Sequence, residues 1–126
     1  MKWNDGFIEI VMAAELEKDN PDEALKLYQK ALSHGEEDAY YYMGKMYTYG
    51  GVMPLDFLEA CDLFEKGIKS GRMFAECHKE LGKIYYYSLS NYKRAVKHFE
   101  TSCTECDWSA VMLGLCYLRG QGVKRD

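Results

Sequence analysis

The sequence predicts an all-α chain built as an array of helix pairs, and three observations predict it. First, three segments align: "NPDEALKLYQKALSHG" from Asn20, "DFLEACDLFEKGIKSG" from Asp56 and "NYKRAVKHFETSCTEC" from Asn91. In each, an alanine (Ala24, Ala60, Ala95) is followed four residues later by an aromatic (Tyr28, Phe64, Phe99) and seven later by a small residue (Ala31, Gly67, Ser102). Those offsets trace one stripe along an α-helix, so each segment presents a small–aromatic–small face for close packing. Second, "MGKMY" (43–47), "LGKIY" (81–85) and "LGLCY" (113–117) share an apolar residue, a glycine, and a tyrosine three residues on. A glycine inside a helix costs about 1 kcal/mol relative to alanine, so three in register imply a partner helix crossing too closely for a Cβ. Third, the alanines lie 36 and 35 residues apart, a period that belongs to stacked supersecondary units.

Taken in order, the units read helix A, loop, helix B, turn. The first pair, 5–35, is irregular. Its helix B begins at the N-cap former Asn20, with Pro21 at the first helical position, where a missing N–H costs nothing. Asp56 and Asn91 stand in the same place, four residues before their alanines, and Glu23 and Glu59 follow their caps at capping-box spacing. Gly35 and Gly71 are placed to close helix B in the left-handed conformation, whereas Cys106 in the third copy predicts a different turn. A full unit spans 36–71, with Gly50 and Gly51 making its inter-helix loop. The next, 72–106, is shortened by three residues between tyrosine and alanine. A partial unit, 107–126, stops where its loop should enter helix B, leaving Leu113 and Tyr117 without their usual partner. Either its helix A caps the array, or the chain is cut from a longer one; the second reading is favoured.

Ala39, Met43, Gly44 and Tyr47, followed by the glycine loop, an aspartate and then Ala60 and Phe64, resemble the Sel-one-like repeat, a relative of the tetratricopeptide repeats. The resemblance covers nearly the whole chain. It implies a right-handed superhelical solenoid of antiparallel helix pairs, forming a single repeat domain over 5–126. It also implies a non-catalytic scaffold or adaptor that binds other proteins. In such solenoids helix A lines the concave face at offsets of −6, −3, +1, +4 and +5 from its glycine. Those offsets select Asp38, Tyr41, Lys45, Thr48 and Tyr49; Glu76, Lys79, Lys83, Tyr86 and Tyr87; and Trp108, Val111, Leu115, Leu118 and Arg119. The candidate partner-binding residues among them are Asp38, Tyr41, Lys45, Tyr49, Lys79, Lys83, Tyr86, Trp108, Leu115 and Arg119. Lysines and an arginine among tyrosines suit an extended or acidic peptide.

Bulk properties narrow the alternatives. The 126 residues are 48% hydrophobic and carry a net charge of −4, which argues against a nucleic-acid binder. No signal peptide or bilayer-length apolar run is apparent, so a cytoplasmic protein is expected. Five cysteines at irregular spacing read as reduced thiols. Cys103 and Cys106 form a C-x2-C with His98 upstream, but zinc needs four ligands, so a metal- or redox-linked protein is the minor alternative. A spacer segment within a larger assembly protein is the other. "TYGGVMPLD" lacks the spacing of a phosphate loop. His34, His78 and His98 fall on different helices without a nucleophile beside them, so no enzyme and no cofactor are expected.

Overall fold

A computed structural model describes residues 5–49 and 56–124. Gly50, Gly51 and Asp126, which carry parts of the predicted loops, lie outside the described residues. Seven α-helices run through the described residues: α1 (Asp5–Leu16), α2 (Pro21–Ser33), α3 (Ala39–Tyr49), α4 (Phe57–Ser70), α5 (Phe74–Lys83), α6 (Tyr92–Ser102) and α7 (Asp107–Arg119). A π-helical turn, Ile84–Ser88, continues α5. The described residues contain no strand. The chain forms two compact units, Met1–Arg72 and Met73–Asp126.

In the first unit α1 packs on α2, α2 on α3 and α3 on α4. The small–aromatic–small stripe turns inward as its period requires, with Ala24, Tyr28, Ala31, Ala60, Phe64 and Gly67 all buried. A fully buried ring of this size contributes roughly 1.5–3 kcal/mol. Tyr28 is completely enclosed, stacks on Tyr42 with centroids 6.0 Å apart, and donates its hydroxyl to Glu17 Oε2 at 2.9 Å. Burial, reinforced by Glu17, pushes the Tyr28 phenol well above its ordinary range, so the group stays neutral as a donor. Glu9, buried on α1, is held by Lys30 Nζ on α2 at 3.6 Å and by His34 Nδ1, just past the end of α2, at 2.6 Å.

In the second unit α5 and the π turn pack on α6, and α6 on α7. Ala95, Phe99 and Ser102 are buried in the same register. Ser102 Oγ donates to Ser109 Oγ at 2.7 Å, satisfying both hydroxyls inside the α6–α7 contact.

The helix ends follow the sequence with one difference. Asn20, Asp56 and Asn91 each accept the amide three residues on, at 3.3, 3.0 and 3.2 Å. The reciprocal half of the capping box is replaced: the cap amides donate to backbone carbonyls instead, Asn20 to Leu16, Asp56 to Tyr47 and Asn91 to Tyr85, at 2.8, 3.1 and 2.8 Å. Gly35 and Gly71 adopt positive φ, 86° and 80°. At the third position Cys106 is extended and becomes the N-cap of α7.

The two later pairs share a further bond. Tyr47 and Tyr85 are the tyrosines of the repeat motif, and each carbonyl receives the cap amide of the following helix B. The shortened unit keeps this bond by winding its last helical residues as a π turn, with the Leu89 amide reaching back to Ile84 O at 3.1 Å.

The glycine prediction divides. A Cβ on Gly44 would stand 2.7 Å from Phe64 Cε1, and one on Gly82 would stand 2.7 Å from Phe99 Cδ1. Both glycines are therefore seats for the ring of helix B. Around Gly114 nothing lies within 4 Å, so no close crossing explains it within the described residues.

Candidate functional site

The predicted binding residues fall in two groups, one per unit. In the first, Asp38 accepts Arg72 Nε at 2.8 Å and Nη2 at 3.2 Å, with Glu36 3.4 Å from the same guanidinium. Asp38 thus closes an ion-pair network inside its own unit. Tyr41, predicted to face a groove, is buried instead, 6.2 Å from the Phe64 ring and edge-on to Tyr42 at 5.3 Å. The Lys45 ammonium lies 5.1 Å from the Tyr41 ring centre, capping its outer face. Tyr49 is exposed at the end of α3.

In the second unit Glu80, only 1% exposed, sits between Lys79 and Lys83, each 3.8 Å from its carboxylate. The two lysines are thus partly balanced by a carboxylate that reads, in sequence, as one more charge on a polar helix. Lys83 also places its ammonium 5.3 Å from the ring centre of Trp108 on α7. Trp108 meets Phe99 edge-on at 5.7 Å beneath and stays 37% exposed above. The structure therefore brings Lys79, Lys83 and Trp108 into one local cluster, with Leu115 half-buried on the same helix as Trp108. Tyr86 departs from prediction as Tyr41 does. It is buried beside the Phe99 ring, donates to Gln121 Oε1 at 2.5 Å and accepts Arg119 Nη1 at 3.1 Å. Both tyrosines lean toward helix B because a long ring at offset −3 or +4 reaches across the helix crossing to the aromatic of the stripe.

Arg72, Gln121 and Glu80 are the contributors that sequence reasoning missed. Gln121 and Arg72 lie in loops with no periodic signal. Glu80 had one: it lies directly between the two lysines it serves.

The histidines find partners inside the fold. His34 bonds Glu9, and His78 Nδ1 meets His98 Nδ1 at 2.9 Å, so one ring donates the shared proton and the other accepts it. Tyr85 stacks on His98 at 5.5 Å, and Arg94 donates to the Tyr85 hydroxyl at 3.2 Å. Burial, then His78, then Arg94 lower the His98 pKa to about 4.

Cys103 Sγ donates to Glu100 O at 3.3 Å where α6 ends, and Cys106 stands at the N-cap position of α7 without a side-chain cap bond. Burial pushes the Cys106 thiol up, against the opposing pull of Lys79, so it is not activated as a thiolate. Among the described residues no group of three or more His, Cys, Asp or Glu could hold a metal ion, and no helix is long and apolar enough to cross a membrane.

The Sel1 repeat family matches residues 13–36, 37–71, 75–105 and 109–126. No curated protein matches the chain. Among solved structures, it is similar to c5321, described as a protective antigen present in uropathogenic Escherichia coli strains and displaying an SLR fold. The TM-score is 0.81 at 26% identity, over 96% of this chain and 27% of that one. This chain thus spans about a quarter of that relative's length. The fold is an all-α helical repeat solenoid. Sel1 repeats generally mediate protein–protein interactions, and proteins built from them are typically non-catalytic scaffolds. Matched in four successive repeats, the chain belongs to the Sel1 repeat family.

Proposed function

We propose that the chain is a non-catalytic interaction module that binds an extended, acidic segment of another protein along its A helices. The observation that carries this reading is the Lys83 ammonium held over the exposed ring of Trp108. An aromatic of this kind offers rigid apolar contact area at low entropic cost. The ammonium at its rim, with Lys79 on the same helix, supplies positive charge in a chain whose net charge is −4. Both pairs to Glu80 are long, at 3.8 Å, beyond the range of a charge-assisted hydrogen bond. In the first unit Lys45 over Tyr41, with Tyr49 beyond it, gives a second cation–aromatic contact of the same chemistry.

The test is partner capture from the native cell by wild type and by a Lys45→Glu/Lys83→Glu variant, at low and at moderate salt. Capture should fall in the variant at low salt, and the difference should narrow as salt screens the charges. Trp108→Ala should weaken capture about tenfold at either salt. A thermal melt of each variant separates lost binding from lost folding. Equal capture by all three proteins at both salts would rule out this surface.

A further inference from the structure

We propose that the outward face of α6 is a docking site for a phosphate ester carried on a partner protein, distinct from the Lys83–Trp108 cluster. A comparison of the three B helices singles it out. In each, the places two and one residues before the stripe alanine, and two after it, are exposed. In α2 they hold Asp22, Glu23 and Lys26, and in α4 Leu58, Glu59 and Asp62. In α6 all three are cationic: Lys93, Arg94 and Lys97. The places on α2 stay exposed although α3 and α4 follow in the same unit. Their openness therefore belongs to the register, not to where a helix stands in the chain.

Neither helix formation nor packing accounts for the reversal of charge. The positive end of a helix dipole favours carboxylates, and the first turns of α2 and α4 carry Asp22, Glu23 and Glu59. The first turn of α6 carries no acid, and Lys93 and Arg94 stand there against the dipole. Lys97 lies four residues from Lys93 and three from Arg94, spacings at which like charges repel across a helix surface. Elsewhere the fold balances such groups: Lys66 pairs with Asp62 at 3.1 Å and Arg72 with Asp38 at 2.8 Å. Among the described residues no carboxylate pairs with Lys93, Arg94 or Lys97. A local rule broken at three adjoining positions, with no compensation inside the fold, marks a surface kept for something outside it.

Geometry narrows the ligand. Arg94 Nη1 donates to the Tyr85 hydroxyl at 3.2 Å, and the guanidinium carbon lies 5.5 Å from that ring centre. The group is tethered while the residue stays exposed, which pre-organises a planar donor set for a multi-oxygen dianion. Lys93 and Lys97 flank it within about one helical turn, so three cations converge on one compact group. A run of carboxylates needs cations spread along its length. A membrane or a nucleic acid needs a broad positive field, whereas the matching places on α2 and α4 hold carboxylates and the chain's net charge is −4.

The probe is a short glycine–alanine peptide with one central phosphoserine. It is titrated at fixed ionic strength into the nitrogen-15-labelled 126-residue chain and followed by NMR. Amide shifts should centre on residues 92–97 and saturate with a Kd below about 10 mM. Arg94→Gln, and separately the double variant Lys93→Gln/Lys97→Gln, should each weaken binding about tenfold. The double variant should melt no lower than wild type; a lower melt would show that these cations serve the fold and would overturn the proposal. Absence of saturation, or shifts spread over lysines throughout the chain, also overturns it. Shifts centred on Lys79, Lys83 and Trp108 do the same while leaving the acidic-segment reading of that cluster intact. Equal binding by a peptide with glutamate in place of phosphoserine would assign the face to carboxylates. Lysine-dependent cosedimentation with phosphatidylserine vesicles would assign it to a membrane. Either result replaces the phosphate reading.

Discussion

A methyl group added at Gly82 and one added at Gly114 are expected to act in opposite directions, although both glycines hold the same place in the repeat. At Gly82 the new carbon would enter the Phe99 ring, which is fully buried and cannot swing aside. Overpacking of that kind costs about 1–3 kcal/mol, which outweighs the ~1 kcal/mol of helix propensity that alanine restores. At Gly114 only the propensity gain operates, because among the described residues nothing lies within 4 Å of an added Cβ. Urea unfolding should therefore show Gly82→Ala less stable than wild type and Gly114→Ala more stable by up to about 1 kcal/mol. Two equal shifts would mean that the ring seats are not what selects glycine. The alanines were legible because a helical period of four and seven residues is arithmetic. Tyr41 and Tyr86 were not, because offset alone does not say which way a long ring leans at the edge of a crossing. The buried Glu80 was hidden for a related reason: a carboxylate between two lysines on a polar helix looks solvated until packing closes over it.

Between elements, the α5–α6 contact contains a titration. His98 on α6 bonds His78 on α5, with Tyr85 stacked against it and Arg94 close by. Its pKa in the folded chain, about 4, lies below the ordinary 6.5. A group whose pKa is lowered by folding supports the fold while neutral. That contribution is complete above pH 6.5 and is lost as pH falls through 4, where the folded ring must also charge beside His78 and Arg94. Urea midpoints measured across that window should decline steeply for wild type and less steeply for His98→Gln. Parallel profiles would show that the pair carries no pH dependence. Caps, the stripe and the left-handed glycines could be foreseen because each is set by a few adjacent residues. The π turn could not. The sequence announced a deletion of three residues, and both a tight loop and a rewound helix end would satisfy that count.

For the molecule as a whole, repeat construction confines each contact to near neighbours, so stability is expected to be local. Ala60 is wholly buried in the α3–α4 packing, and Ala60→Leu should cost about 1–3 kcal/mol through overpacking. Amide hydrogen exchange should place most of that loss in α3 and α4 and much less in α5, α6 and α7. Uniform acceleration across all helices would mean that the two compact units unfold as one. The family and its helix-pair order could be read from the sequence because a period repeated three times outweighs any single weak motif. For the candidate site, offsets from a glycine choose helices and positions, but they do not say which of those side chains, such as Asp38, Tyr41 and Tyr86, the fold already engages.

The carbonyl of the motif tyrosine has one more consequence. Tyr47 and Tyr85 hold the first amide of the next helix at 3.1 and 2.8 Å, although the intervening segments differ by three residues. The tyrosine works as a fixed hook, because its bond to the cap survives a three-residue difference in the length of chain between them. Such a segment can lengthen or shorten while both helices keep their places, so it is where insertions would be absorbed and where new surface could be added to the scaffold at little expense to its stability.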